Sequence, residues 1–199
     1  MCEALLTGFL PSRNIINELL ASKVIGDVKS FYGVFGNELM HVDRVVDKKL
    51  GGGALYDIGI YPLYFALSTF GWNPEIENVE IEKYNDIDKG EVITLRYPNK
   101  VKAVVEANIG KDLGIYGEIV GTKGRIFIQN IARPDYLEIY DNNNNLIKKI
   151  DKLRQTSGYE YEFLSCMKAI KAEKRETEEM PHIHTITLLK YIDRVLQLL

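Results

Sequence analysis

An aspartate and a tyrosine four residues apart are the pair in this sequence best suited to proton chemistry. Asp57 and Tyr61 follow three consecutive glycines, Gly51 to Gly53, whose backbone lacks Cβ atoms and can be approached closely by a ligand. If the segment is helical, side chains at positions i and i+4 share one face. A carboxylate and a phenol side by side can handle a proton. A packed core tyrosine and an aspartate placed near a helix N-terminus would give the same spacing.

The residues around this pair form a longer motif. From Gly51 to Pro62 the sequence reads G-G-G-A-L-Y-D-I-G-I-Y-P, which resembles the G-G-G-x-L-x-D-x-G-x-H/Y signature of the glucose–fructose oxidoreductase, inositol dehydrogenase and MocA family (Gfo/Idh/MocA). The tyrosine version is similar to the branch of dihydrodiol dehydrogenase and glucose–fructose oxidoreductase. The resemblance implies that Asp57 and Tyr61 are catalytic residues in a substrate pocket beside a nicotinamide cofactor.

The polar segment before the glycines, Asn37 to Leu50, is predicted to be irregular and includes His41 and Arg44. In the family the equivalent segment borders the substrate. The resemblance therefore implies that Arg44 binds substrate together with the backbone of Gly52 and Gly53. The alternative is an ordinary surface loop, because loops vary widely and often have no function of their own.

The N-terminal residues Glu3 to Pro11 are predicted to form a short buried strand that the proline ends. They resemble the family's E-A-x-x-x-R-F-x-P junction, at which a nucleotide-binding domain passes into a second domain. Gly8 stands where many members carry an arginine, and Leu6 where one branch carries a tryptophan. The substrate specificity of those members therefore does not carry over to this chain.

The resemblance extends from Glu3 to near Leu199 and divides the chain in two. Residues 1–10 would be a remnant of the junction, and residues 11–199 a substrate-binding and oligomerisation domain. Family members also carry a G-x-G-x-x-G/A turn, which binds the cofactor pyrophosphate, and an E-K-P motif with the central acid–base lysine. Neither motif occurs in this sequence, which starts at Met1 about where the second domain starts in relatives.

Two functions from different classes follow. The first is the C-terminal part of an NAD(P)-dependent oxidoreductase that transfers hydride to or from a sugar, polyol or diol. Because side chains do not transfer hydride, this part would be inactive without its nucleotide-binding domain. By itself the chain is expected to bind neither NAD nor NADP. The second is a stand-alone, non-catalytic domain that binds a small polar ligand or a protein partner.

The composition limits the partners and the compartment. The formal net charge is −3 and the charged fraction 27%, which argues against nucleic-acid or anionic-membrane partners. Cys2 and Cys166 are the only cysteines, so the sequence predicts no disulfide framework and is compatible with a reducing cytoplasm. Glu3 and Pro11 interrupt the first apolar run, so no signal peptide is predicted. No apolar run is long enough for a membrane helix.

Alternating apolar residues predict an α+β fold with an open, mainly antiparallel sheet of about six strands and helices on one face. Turn residues at Pro98–Asn99, Thr122–Gly124 and Asn142–Asn145 predict tight connections, which join antiparallel neighbours. The runs with strand character are Val28–Phe35, Val79–Lys83, Val92–Tyr97, Val101–Asn108, Tyr116–Gly121, Arg125–Gln129, Leu137–Asp141 and Leu146–Ile150.

Helical spacing predicts four helices. One covers Ser12–Ser22, and a second runs from the glycines to Phe70, with a kink or a delayed start caused by Gly59 and Pro62. Two more close the chain, and both of their apolar stripes are predicted to lie in the core. These stripes are Tyr159, Phe163, Met167 and Ile170 in the first, and Leu188, Leu189, Ile192, Val195, Leu196 and Leu199 in the second.

Two further predictions concern partners and metals. The runs Val101–Asn108 and Arg125–Gln129 are apolar on both faces, so we expect the sheet face away from the helices to form a homo-oligomer, most simply a dimer. His182 and His184 have a spacing that zinc sites use, but a site needs further ligands. His41 is remote in sequence, so a metalloprotein ranks last among the hypotheses.

Overall fold

The computed structural model describes residues 2–151 and 156–199. These residues form an eight-stranded sheet in the order β2-β3-β4-β1-β5-β6-β7-β8. All neighbours pair antiparallel except β1 and β4, which are parallel. The strands are β1 (Val28–Gly36), β2 (Glu75–Tyr84), β3 (Ile87–Arg96), β4 (Lys102–Asn108), β5 (Gly114–Gly121), β6 (Gly124–Gln129), β7 (Tyr136–Asp141) and β8 (Leu146–Asp151).

The helices lie before, between and after the strands. They are α1 (Ser12–Ala21), the short α2 (Asp43–Val46), α3 (Ile60–Phe70), α4 (Tyr159–Lys171) and α5 (His182–Leu196). Two 3₁₀ turns span Leu6–Gly8 and Lys48–Leu50, and a π-helical turn spans Leu55–Gly59. The predicted α+β fold with an open, mainly antiparallel sheet is confirmed, although the described residues form eight strands rather than about six.

The main core lies between one face of the sheet and the helices. Phe31 of the central strand β1 stacks on Phe65 of α3 with ring centroids 5.1 Å apart, and Ile16 of α1 is buried in the same cluster. From α5, the hydroxyl of Tyr191 donates a hydrogen bond of 2.6 Å to the carbonyl of Pro74. This packing holds α3, the helix that follows the glycines, against the middle of the sheet.

The predicted N-terminal strand is wrong. Residues 6–8 form a 3₁₀ turn instead, with Leu5 and Phe9 buried in the core on either side of it. Gly8 lies so close to Tyr64 and Met180 that a Cβ atom would be 2.6 Å from the Tyr64 hydroxyl oxygen. An apolar run shows that a segment is buried, but it does not show that a neighbouring strand is available. Met1, where the sequence begins, lies outside the described residues.

The predicted core stripe of α4 is also wrong. Tyr159, Phe163, Met167 and Ile170 are 51–73% exposed, whereas the small residues of the opposite face, including Ala169, are buried. Helical spacing identifies an apolar face without showing what that face meets. The stripe of α5 is closer to the prediction, because Leu188, Ile192 and Val195 are buried together with Tyr191. Leu189, which was predicted to lie in the core, is exposed.

The sheet face away from the helices, here called the outer face, carries both aromatic and charged side chains. Tyr116 lies between Tyr32 and Phe127, with ring centroids 5.9 and 5.7 Å away. The hydroxyl of Tyr32 donates to Glu106 at 2.5 Å. Val104 is half-buried beside them. The outer face is therefore partly apolar, as the two-sided patterning predicted, but it also carries carboxylates.

Candidate active site

The helix after the glycines begins with a widened turn. The π-helical turn Leu55–Gly59 precedes α3, and Pro62 is the third residue of α3. Proline has no amide hydrogen to donate one turn back and crowds the carbonyl there, which disfavours a regular α-helical turn at this point. Such π turns are frequent at functional sites. The turn contains Asp57, and Tyr61 follows in the first turn of α3.

The start of this helix is held by Asp88, at the beginning of β3. Its Oδ2 accepts a hydrogen bond of 2.6 Å from the amide of Leu55. Gly53 has φ +123°, and a Cβ there would be 2.2 Å from Oδ1 of Asp88. Sequence reasoning missed Asp88, because it is 33 residues from its partner. The glycine at position 53 is thus explained by the carboxylate packed against it.

One cleft brings the two predicted catalytic residues together. Asp57 and Tyr61 both line it, and its volume is about 480 Å³. That size falls within the range of small-molecule sites. The remaining lining residues come from the N-terminal segment, β1, the π turn, β5, the loop after β6 and the start of α4, and they are Ala4, Leu6, Phe35, Ile58, Ile115, Asn130, Ala132, Arg133 and Tyr159.

Arg44 takes part in this site through Asp57. Its Nη2 atom lies 2.5 Å from Oδ1 of Asp57, whose side chain is 14% exposed, whereas that of Arg44 is 57% exposed. The cation is carried by α2, so the segment 37–50 is not irregular throughout as predicted. His41 is exposed and is not among the residues that line the cleft.

Tyr61 is half-buried, and its ring packs against Phe35 at 5.8 Å. Burial raises the pKa of its phenol, and nearby groups including Tyr159 and Asp57 raise it further. Tyr61 therefore keeps its proton at neutral pH and is suited to donate a hydrogen bond rather than to act as a base. Lowering this pKa would need a cation close to the phenol oxygen.

The predicted substrate-binding glycines lie elsewhere. Gly52 and Gly53 do not line the cleft of Asp57 and Tyr61. A Cβ on Gly52 would be 2.5 Å from the carbonyl oxygen of Val45, so close packing against α2 explains its identity. Contact of either glycine with a substrate remains a prediction.

A second carboxyl lies beneath the π turn and was also missed from the sequence. Glu91 of β3 is 3% exposed, and its Oε1 occupies the space that a Cβ on Gly59 would need, 2.3 Å from that position. Within the described residues neither of its carboxyl oxygens has a hydrogen-bond partner. Burial raises its pKa well above the usual value, and the nearby Asp88 and Glu106 carboxylates add to the effect.

The histidine pair has structural neighbours. His184 stacks on Trp72, with ring centroids 4.1 Å apart and planes 11° from parallel. Nδ1 of His182 lies 3.4 Å from a carboxylate oxygen of Glu176. Within residues 2–151 and 156–199, no group of three or more His, Cys, Asp or Glu side chains is placed to hold a metal ion. In the same residues no helix has the length and apolar character needed to span a bilayer.

Comparison with known families identifies the fold and its signature. Residues 15–127 match the model of the GFO/IDH/MocA C-terminal domain. The chain belongs to this family. The match includes the glycines, the π turn and the strands β1 to β5, so the resemblance inferred from G-G-G-A-L-Y-D-I-G-I-Y-P is confirmed.

Curated relatives of this family domain are longer proteins. Trans-1,2-dihydrobenzene-1,2-diol dehydrogenase of Danio rerio is 38% identical over 128 residues, which cover 63% of the chain and 38% of the relative. The enzyme of the same name from Homo sapiens is 33% identical over 132 residues, covering 65% and 40%. The chain thus spans about two-fifths of the length of the curated relatives it matches.

Solved structures with the same fold include two oxidoreductases. Aldose-aldose oxidoreductase from Caulobacter crescentus, complexed with glycerol, superposes with a TM-score of 0.84 at 15% identity. The superposition covers 99% of this chain and 61% of the oxidoreductase chain. A 3-ketoreductase from Actinomadura kijaniata, in complex with NADP and TDP-benzene, superposes with a TM-score of 0.82 at 19% identity. The superposition covers 94% of this chain and 58% of the ketoreductase chain. At these identities the likeness shows the fold.

Proposed function

We propose that this chain is the substrate-binding part of an NAD(P)-dependent oxidoreductase that transfers hydride to or from a sugar, polyol or diol. The observation that carries the proposal is the single cleft into which the family motif places Asp57 and Tyr61. The matched relatives named as diol dehydrogenases, and a related fold that holds glycerol, support a polyhydroxylated substrate. The compartment inferred from the two cysteines, a reducing cytoplasm, remains a prediction.

In this proposal the two residues act on the reacting carbon–oxygen group of the substrate. The protonated phenol of Tyr61 donates a hydrogen bond to its oxygen, since burial raises the pKa of that phenol. The carboxylate of Asp57, held by Arg44, accepts hydrogen bonds from neighbouring hydroxyl groups. Two fixed partners on one cleft would orient the substrate for reaction.

The glycine stretch does not fit the phosphates of a nicotinamide cofactor. The glycine stretch leads into a helix N-terminus, which elsewhere can bind phosphate, but the Asp88 carboxylate already accepts the amide of Leu55 there. A carboxylate at that place repels a phosphate. We therefore propose that the intact enzyme holds NAD or NADP on another domain, which would supply the hydride carrier.

The exposed side of α4 is consistent with an adjoining domain. Phe163 is 70% exposed and Ile170 73% exposed, and Tyr159 at the start of the helix also lines the cleft. An apolar face continuous with a substrate cleft suits the contact between a substrate-binding domain and a cofactor-binding domain. We propose the nucleotide-binding domain of the intact enzyme as its occupant.

The decisive test uses a full-length family member with the same motif. Replacing the tyrosine that corresponds to Tyr61 by phenylalanine is expected to lower turnover by roughly 10²-fold or more, while cofactor affinity stays nearly unchanged. Unchanged turnover would mean that the hydroxyl of Tyr61 does not take part in the reaction and that the side chain only packs in the cleft. For the chain itself, calorimetric titration with NADH and NADPH is expected to show no saturable binding. Micromolar affinity for either would overturn the assignment of cofactor binding to another domain.

The gene neighbourhood separates this proposal from a stand-alone binding domain. An upstream reading frame that encodes G-x-G-x-x-G and E-K-P motifs would support the oxidoreductase. Its absence, together with a genuine start codon at the first methionine, would favour the non-catalytic domain. The same observation shows whether residues 1–10 are a junction between domains.

We also propose that the outer face of the sheet forms a homodimer. Its central rings, Tyr116 and Phe127, are only half-buried, and a twofold contact between like faces would cover them. Light scattering at several concentrations is expected to give a dimer for the wild type and a monomer for Phe127→Glu. A wild-type monomer at tens of micromolar would remove the proposal.

A further inference from the structure

The cleft contains a cation that the motif does not explain. Arg133, in the loop after β6, lines the same cleft as Asp57 and Tyr61. It is 72 residues beyond Tyr61 in the sequence, as the difference of the two residue numbers shows. Only the tertiary structure brings the three side chains together. A guanidinium in a substrate cleft is a recognition group for planar anions.

The loop that carries Arg133 is anchored at several points. The amide of Asn130 donates to the carbonyl of Ile115 at 2.9 Å, and its side-chain Oδ1 accepts from the amide of Arg133 at 3.1 Å. The hydroxyl of Thr7 donates to the carbonyl of Ala132 at 2.7 Å. These bonds fix the backbone of the loop at the edge of the cleft, so the position of the Arg133 main chain is part of the fold.

The guanidinium of Arg133 has few partners among the described residues. Its Nη1 makes one long hydrogen bond, 3.4 Å, to the carbonyl of Ser157. Within the described residues no carboxylate lies within ion-pairing distance of Arg133. The other donors of the guanidinium remain available, because arginine has five N–H groups.

The charges around the cleft leave this cation without a counterion. Among the described residues that line the cleft, Asp57 is the one carboxylate, and Arg44 already pairs with it at 2.5 Å. Glu3 and Glu162 act electrostatically on Tyr61 but do not line the cleft. A neutral polyol would leave Arg133 unused, whereas an anionic group would pair with it.

We infer that Arg133 selects a substrate that carries an acidic group, so that the enzyme acts on a sugar acid or a sugar phosphate rather than on a neutral polyol. Carboxylate and phosphate share the chemistry that a guanidinium recognises. Asp57 and Tyr61 would hold the hydroxylated carbon, and Arg133 the acidic end. This inference rests on the proposed function, because it uses the same cleft.

The test measures the binding of three small molecules to the 199-residue chain, with two-dimensional NMR at low salt as the readout. The matched probes are glucitol, gluconate and glucitol 6-phosphate, which share one carbon skeleton and differ in charge. At least one acid is expected to bind about tenfold or more tightly than glucitol, and the one that does distinguishes carboxylate from phosphate. Because the contact is ionic, this advantage should shrink as salt is raised.

Three variants separate recognition from structure. Arg133→Gln is expected to abolish the preference for the acids, and Arg133→Lys to retain part of it, because the charge remains. Lys29→Gln, which removes an exposed cation on β1, should leave the preference unchanged. A thermal melt of each variant checks the fold, which loses only the bond to Ser157 in Arg133→Gln.

Three outcomes would overturn the inference. The first is equal binding of all three probes at the cleft, which contradicts a role for Arg133 but leaves the proposed oxidoreductase site intact. The second is an acid preference that persists in Arg133→Gln, and the third is the absence of acid binding at the cleft. The proposed function fails separately, through unchanged turnover of the Tyr61→Phe counterpart in the full-length relative.

Discussion

Replacing the buried carboxyl beneath the π turn should stabilise the protein at alkaline pH. Glu91→Gln keeps the shape of the side chain but cannot ionise. By hydrogen-bond geometry both Glu91 oxygens are buried without a partner among the described residues, and the amide of glutamine can replace the contact that the protonated carboxyl makes with Asp88. We expect the two proteins to be closest in stability at about pH 4.5, where the folded chain keeps the Glu91 proton and the unfolded chain has released only about half of it.

The direction in which stability changes with pH follows from the raised pKa of Glu91 in the folded protein. Burial is the largest cause of this raised pKa, and the nearby Asp88 carboxylate is the second. Above the ordinary glutamate pKa of about 4.3 the unfolded chain releases this proton, but the folded chain keeps it. Unfolding then releases a proton, so this group's contribution to the free energy of unfolding falls as pH rises. The slope is about 1.4 kcal/mol per pH unit until the folded pKa is reached.

The glutamine variant lacks this loss, so its advantage over the wild type should grow with pH at that slope. Urea unfolding followed by far-ultraviolet circular dichroism, from about pH 4.5 to pH 8.5, measures it. Subtracting the two curves removes the groups that titrate alike in both, although Asp88 is coupled to Glu91 and can change the shape of the difference. The control is Glu80→Gln on β2, an exposed residue, which should shift stability by less than about 0.5 kcal/mol.

A stability difference that stays constant with pH, or a wild type that is more stable than Glu91→Gln at about pH 8, would contradict this prediction. Either result would mean that Glu91 ionises in the folded protein at little cost. A water or cation reaching the carboxyl beneath the π turn would then have to stabilise the charge. In that case the pKa of Glu91 in the folded protein would lie near its ordinary value.

Three further substitutions test the packing. Gly53→Ala adds a Cβ 2.2 Å from Asp88 at φ +123° and should lower the free energy of unfolding, measured with urea, by about 2 kcal/mol or more. An unchanged urea midpoint would contradict the contact between Asp88 and the start of the helix. Tyr191→Phe removes a buried hydroxyl bonded to Pro74 and should cost about 1 kcal/mol; a neutral result would mean that this bond contributes nothing net. Phe163→Ser, on the exposed face of α4, should change the melting temperature little, and a large drop would show that this face is packed in the isolated chain.

Local sequence was enough for the class of the fold and for the family. The tight turns at Pro98–Asn99, Thr122–Gly124 and Asn142–Asn145 connect antiparallel neighbours as predicted, because a turn depends on a few adjacent residues. The disturbance expected from Gly59 and Pro62 appears as the π turn. The motif around Asp57 and Tyr61 could likewise be identified from adjacent positions alone.

Periodicity was not enough where the outcome depended on a neighbour. Within the run from Glu3 to Pro11, residues 5–10 are buried but have no strand partner among the described residues, and residues 6–8 form a 3₁₀ turn. The apolar stripe of α4 faces away from this domain's core. Both segments have the predicted hydrophobicity, but hydrophobicity does not specify which surface covers it.

The sequence by itself determined which residues are apolar, where the chain turns, and that an aspartate and a tyrosine follow a glycine-rich start. Only the tertiary structure decided what surrounds them. Asp88 caps the helix that carries them, and Arg133 completes their cleft. Both contacts join residues more than thirty positions apart, and such contacts arise from strand pairing and packing, which leave no periodic signal in the local sequence.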